Sequence, residues 1–273
     1  MKLFPKSRTP FFSCVVALGL ALSAIHSSGA NAATFNYRQP VIGLTAPAAA
    51  APAQPVIPVS DPYWLNTILA MNAEDGLIDV TGKQTVSVIG AASASTAQKQ
   101  FGNQSISVSG GTSYLTLPAS VMTSMLTAPA WTMEFFFNAN AVGGEQFIVS
   151  QGAYAQNHQF ALILASNSSF LVLAQNGSAN WRVNTPVIAP NSWHHVALVM
   201  ANGTLSLFLD GDLQGSTPKA FTTSGSNPVT IGTSTFNNPA YAPFSGYIDD
   251  LRMTTVARYT SNFTVPTESF PTR

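Results

Sequence analysis

Charge is scarce in this sequence. Asp, Glu, Lys and Arg together supply 8% of its 273 residues, eleven of each sign. Three of the basic residues, Lys2, Lys6 and Arg8, precede an apolar stretch, and without them eight cations face eleven anions, a balance of −3. That balance builds no basic face for a phosphate backbone, which excludes nucleic acid as a partner. Cysteine is scarcer still: Cys14, inside that apolar stretch, is the only one. The chain beyond it has no thiolate to hold a metal or attack a substrate, and no disulfide to brace a small core. After position 25 no apolar run approaches the roughly 20 residues of a membrane-spanning helix, so membrane insertion is not expected. Helical periodicity is almost missing as well.

A leader comes first. The basic start, the apolar run over residues 11–25 and the small-residue pattern Ala30-Asn31-Ala32 are the parts of a secretory signal peptide, so residues 1–32 are expected to be removed and the product to be secreted, periplasmic or at the cell surface. Residues 33–62 read as a Pro/Ala-rich spacer. In "TAPAAAAPAQPVIPVSDP" (45–62) prolines recur at 47, 52, 55, 58 and 62, which favours stiff, extended backbone. From residue 63 to residue 273 short period-two alternations recur between Gly, Asn, Ser and Pro. They include "QSISVS" (104–109), "WTMEFFFNA" (131–139), "QFALILAS" (159–166), "HHVALVM" (194–200), "TLSLFLD" (204–210) and "GYIDDLRM" (246–253). This pattern predicts one all-β domain, a two-sheet antiparallel sandwich.

One pairing can be read directly. Val196, Leu198 and Met200 alternate up to Asn202-Gly203, a strong two-residue turn signal, and Leu205, Leu207 and Leu209 resume beyond it. Because Val199 and Phe208 sit on the opposite parity, both strands are expected to be central in their sheet, with neither face fully polar.

The stretch "SWHHVALVMANGTLSLFLDGDLQGS" (192–216) resembles the central signature of laminin-G-like domains of the concanavalin A-like lectin/glucanase family. "FGNQSISVSGGTSYLTLP" (101–118), "WTMEFFFNA" and "FSGYIDDLRMTTVARYTSNFTVPTESFP" (244–271) resemble further segments of that family in the same order. The resemblance implies a jelly-roll sandwich. It does not fix a function, since such domains bind glycans, bind proteins, hydrolyse polysaccharides or space other domains.

Among these, hydrolysis has the least support. The hydrolases of this fold carry a Glu-x-Asp-x-x-Glu type strand, whereas Glu134 in "MEFFF" has no acidic partner at i+2 or i+4. There is no Gly-x-Ser-x-Gly elbow for a serine hydrolase. His194 and His195, adjacent on a strand, point to opposite faces and do not make a zinc pair. The expectation is a non-catalytic module that binds carbohydrate or a glycosylated surface, with a protein partner in a surface or virion assembly as the alternative. Trp181, beside Arg182 and a polar loop, is the candidate stacking platform, with Tyr154, Asn157 and His158 as loop neighbours. Trp131 and Trp193 are assigned to the core. Calcium is the candidate cofactor, held by Asp75 and Asp79 near one end of the domain and by Asp249 and Asp250 near the other.

Overall fold

The computed structural model describes residues 60–109, 112–152, 160–174, 180–219, 221, 226–234 and 241–273, all within the compact unit Val56–Arg273. The leader, nearly all of the spacer, and Tyr154, Asn157 and His158 lie outside the described residues. Among the described residues sixteen strands succeed one another: β1 (Thr67–Met71), β2 (Ser87–Ile89), β3 (Ser93–Ser95), β4 (Ser105–Ser109), β5 (Tyr114–Leu117), β6 (Trp131–Ala139), β7 (Glu145–Gln151) and β8 (Phe160–Ser166). Then come β9 (Ser169–Ala174), β10 (Trp181–Asn184), β11 (Trp193–Ala201), β12 (Thr204–Leu209), β13 (Asp212–Pro218), β14 (Val229–Ile231), β15 (Tyr241–Pro243) and β16 (Ser245–Thr254).

They form two open sheets of eight. The first runs β13-β12-β11-β6-β16-β4-β3, with β1 also on β16; the second runs β10-β9-β8-β7-β14-β5-β2, with β15 parallel to β7 and every other pair antiparallel. The hairpin around Asn202-Gly203 forms as expected. Both turn residues take positive φ, 50° and 72°, which is the handedness that matches strand twist in a two-residue turn. β11 and β12 are central, flanked by β6 and β13.

Parity divides each strand of the first sheet. Met133, Phe135, Phe137, Val196, Leu198, Leu205, Leu207, Ile248 and Met253 face the second sheet and are buried in the shared core. Each such aromatic or branched side chain contributes about 1.5–3 kcal/mol by leaving water. Yet Phe136, Ala197, Val199 and Phe208, on the opposite parity, are buried too. Their cover is the segment after β16, where Tyr259 and Phe263 stack at 3.6 Å and pack on Val199 and Phe208. The chain closes where the Asp61 N–H donates to the carbonyl of Arg273 at 2.8 Å.

One helix departs from the sequence reading. Residues Ala119–Thr127 (α1) come directly after Pro118 and bury Val121, Met122, Met125 and Leu126. With little more than two turns, the helix carries too short a period to stand out among strands.

Candidate functional site

The outer face of the first sheet has two halves. In the covered half Glu134 is fully buried; its Oε1 accepts from Arg252 Nε (3.0 Å) and Nη2 (2.8 Å), and its Oε2 accepts from the Tyr259 hydroxyl (2.7 Å) and lies 3.4 Å from His195 Nε2. Asp61 continues the network, accepting from Arg252 Nη1 and from both terminal nitrogens of Arg258. Burial alone would raise the Glu134 carboxyl. The His195 contact, the Arg252 charge and the Tyr259 hydrogen bond outweigh it and hold the group at about 2. A carboxyl that stays ionised, fully bonded and sealed from solvent has no proton to give a substrate near neutral pH. A cavity of about 580 Å³ opens at the edge of this network between Pro62, Pro266 and Phe270, but the guanidinium groups in its wall are already paired with Asp61 and Glu134.

The His195 ring packs against Phe136, Phe263 and Phe270. His194 Nδ1 pairs with Asp210 at 2.8 Å, and the other Asp210 oxygen accepts the His195 N–H, so Asp210 fixes the turn that ends β12.

The candidate calcium acids are occupied in the same way. Asp79 accepts from the backbone N–H groups of Ala70, Thr81, Lys83 and Gln84 and from the Thr81 hydroxyl. Asp249 takes the N–H groups of Gln100, Phe101 and Asp250, while Asp250 takes the Phe270 N–H and the Ser269 hydroxyl. Asp75 lies exposed in the loop after β1. Donors aimed at every oxygen of the three buried carboxylates suit an anion acceptor and repel a cation, so this donor set does not fit calcium. Among the described residues no three side chains of ligand type converge. Burial pushes Asp249 up to about 6 and Asp250 to about 7, the backbone donors opposing it in both.

Trp181 also departs from its expected role. Its partner on β9 is Val172, a core residue, so the indole faces between the sheets and packs on the core. Arg182 points outward, bonded to Glu145 at 2.5 Å and to the Ser169 hydroxyl at 3.2 Å. The structure does not make these two neighbours into one platform.

The reverse holds for Trp193. The sequence reading assigns it to the core, but it shares the parity of His195 and stands half-buried on the outer face. Directly across from it on β6 is Asn138, then Tyr247 on β16, Ser107 on β4 and Ser93 on β3. The five form one row across five strands. Strand spacing of about 4.8 Å places the two aromatic residues about 10 Å apart, on either side of the amide. Asn138 is only 2% exposed, yet its side chain makes no hydrogen bond among the described residues, and neither do the Trp193 indole, the Tyr247 hydroxyl or the two serine hydroxyls. One step along these strands from the row, Phe101 and Phe270 pack against Phe136.

Two antiparallel sheets of this topology make a lectin-like jelly-roll sandwich. The chain belongs to the concanavalin A-like lectin/glucanases superfamily, whose laminin-G-type member matches residues 109–261, more than half of its length. Among solved structures it is similar to a botulinum neurotoxin type C structure described for its interaction with two ganglioside molecules (TM-score 0.58, 14% identity, 72% of this chain and 49% of that one). It is also similar to domain 4 of AbnA, an extracellular arabinanase from Geobacillus stearothermophilus, in complex with arabinotriose (TM-score 0.55, 17% identity, 70% and 93%). A third similar structure is the binding domain of botulinum neurotoxin DC in complex with rat synaptotagmin II (TM-score 0.57, 14% identity, 72% and 50%). The chain spans about half the length of the neurotoxin chains it matches. At these identities the likeness is one of fold. No curated protein matches the sequence. Among the described residues no helix is long and apolar enough to cross a membrane.

Proposed function

We propose that this protein is an exported, non-catalytic recognition domain that binds carbohydrate through the row Trp193, Asn138 and Tyr247. The observation that carries this reading is an unbonded, almost buried amide between two half-buried aromatic rings on the outer face of the first sheet. Sugar rings present an apolar face that stacks on indole or phenol, and a ring of hydroxyls that an amide can both donate to and accept from. Leaving such an amide unpaired costs about 1–3 kcal/mol, which a bound hydroxyl recovers. The leader supports export, and the ganglioside and arabinotriose complexes of similar folds support a glycan ligand. The synaptotagmin complex of another similar fold keeps a protein partner as the rival.

A glycan array probed with the mature protein and with Trp193→Ala tests the proposal. Selective glycan retention is expected for the parent and a drop of roughly tenfold or more in affinity for the variant, equal to about 1.4 kcal/mol. Glycan binding that survives Trp193→Ala, or no retention by any glycan at high protein concentration, would overturn it.

A further inference from the structure

We propose a second binding site, away from the outer face of the first sheet: a pocket at one end of the sandwich that takes a small apolar carboxylate, its acid group bonded to Lys219. Three observations carry this. The first is the pocket itself. It has a volume of about 210 Å³ and lies where the carboxy-terminal end of α1, the start of β6, the β11–β12 turn and the chain just after β13 come together. Trp131 and Met200, paired across β6 and β11, and Leu126 of α1 are buried in its lining, and Phe221 meets the Trp131 ring edge-on at 5.8 Å. Aromatic and aliphatic walls of this kind hold the apolar body of a ligand. The pocket is smaller than the roughly 300–1,000 Å³ of sites for drug-sized molecules, so that body has about ten non-hydrogen atoms.

The second is charge. Lys219 is the only charged residue among the described residues that line the pocket, and the segments that build it, 126–131, 200–203 and 219–221, contain no acid. Its position is fixed by the backbone: the Lys219 N–H donates to the Gly203 carbonyl at 3.0 Å, one step beyond the Thr204–Pro218 pair of the β12–β13 ladder. Half-buried there, the side chain joins the apolar wall to solvent. Burial pushes its amine below the ordinary lysine value, because the charged form has lost water. A carboxylate beside it offsets that loss. An ammonium has three N–H donors, so it keeps its contact within the protein and still bonds a carboxylate.

The third is the contrast with the larger cavity beside Asp61. There both guanidinium groups are held by carboxylates, and an arriving anion meets charges already neutralised. In the smaller pocket no carboxylate stands among the described lining residues. An uncharged ligand gains only the wall, and an amine meets a like charge. An apolar acid gains both the wall and the charge.

Isothermal titration of the mature protein tests this with two sets of acids. Straight-chain carboxylates from butanoate to decanoate form one, and benzoate with 3-phenylpropanoate the other, which separates an aliphatic acid from an aromatic one; octanol and octylamine are the neutral and cationic controls. Affinity in the straight-chain set is expected to rise about three- to fourfold per methylene until the pocket is full. Octanoate is expected to bind about tenfold more tightly than octanol, and octylamine more weakly than either. Lys219→Met, which keeps a side chain of similar length, should remove the difference between octanoate and octanol. Ala128→Phe, which narrows the pocket from the α1 side, should weaken both. Tighter binding of either set of acids than of octanol supports the site and names its ligand. Equal affinity for octanoate and octanol, octanoate binding that survives Lys219→Met, or no heat with any acid at millimolar concentration would overturn it.

Discussion

His195, Phe136 and Asp249 lie side by side across β11, β6 and β16; two residues further along each strand stand Trp193, Asn138 and Tyr247. The two rows share strands, parity and sheet face. In the first, Phe263, Phe270 and Phe101 close over the rings, and Asp249 has donors on both oxygens. In the second no protein group among the described residues bonds the side chains, and the rings are half open. A sheet face can therefore be core over one half and binding surface over the other. The difference lies in how far the carboxy-terminal segment and the β3–β4 loop around Phe101 reach, not in the strands themselves.

The covered half should break hardest. Arg252→Ala leaves Glu134 and Asp61 buried with fewer partners and should cost about 3–5 kcal/mol, measured as a lower midpoint in denaturant titration. Phe270→Ala removes a ring that Arg252 overlies at 3.8 Å and that packs on Phe136; a loss of about 3 kcal/mol is expected by the same method. Acidity should act from two sides. Glu134, held at about 2 against an ordinary 4.5, contributes stability that is full above 4.5 and fades as pH falls toward 2. Asp249 and Asp250, raised to about 6 and 7 from 3.8, contribute stability that is full below 3.8 and is lost as pH rises through 6 and 7. Where the two trends cross, near about pH 4, thermal midpoints should peak, and Asp250→Asn should flatten the decline on the alkaline side. Trp193→Ala, in the open half, should change stability by no more than about 0.5 kcal/mol while reducing glycan affinity; a large loss of stability would show that the open row is structural after all. The smallest effect belongs to calcium. Neither the ion nor a chelator should move the melting curve, since a ligand that raises stability must bind the folded state and the buried carboxylates offer it no free oxygen.

Much of the fold is legible in the sequence because it is local. Asn202-Gly203 with alternating leucines on both sides names its own hairpin, and strands as long as β6 and β11 show their period. The shortest strands, β2, β3, β14 and β15, have three residues each and no period to see. Sites are harder, for a different reason. Glu134 looks solitary because its partner Arg252 is 118 positions away, and only the β6–β16 register brings them together. The parity of Trp193 is visible beside His195, but whether that parity means cover or solvent depends on a segment much later in the chain. Trp181 misleads in the opposite sense: its polar neighbours in sequence suggest exposure, while its strand partner Val172 turns it inward.

The bond between Asp61 and Arg273 places the two chain ends of the folded unit side by side. A few residues of linker would close the polypeptide into a ring, and new termini could then be opened at an exposed turn such as Asn202-Gly203. Grafted into the loop of a larger host, the unit would hang from a single point like a pendant, adding no span to the host backbone and leaving its sheet face free to swing toward whatever it meets.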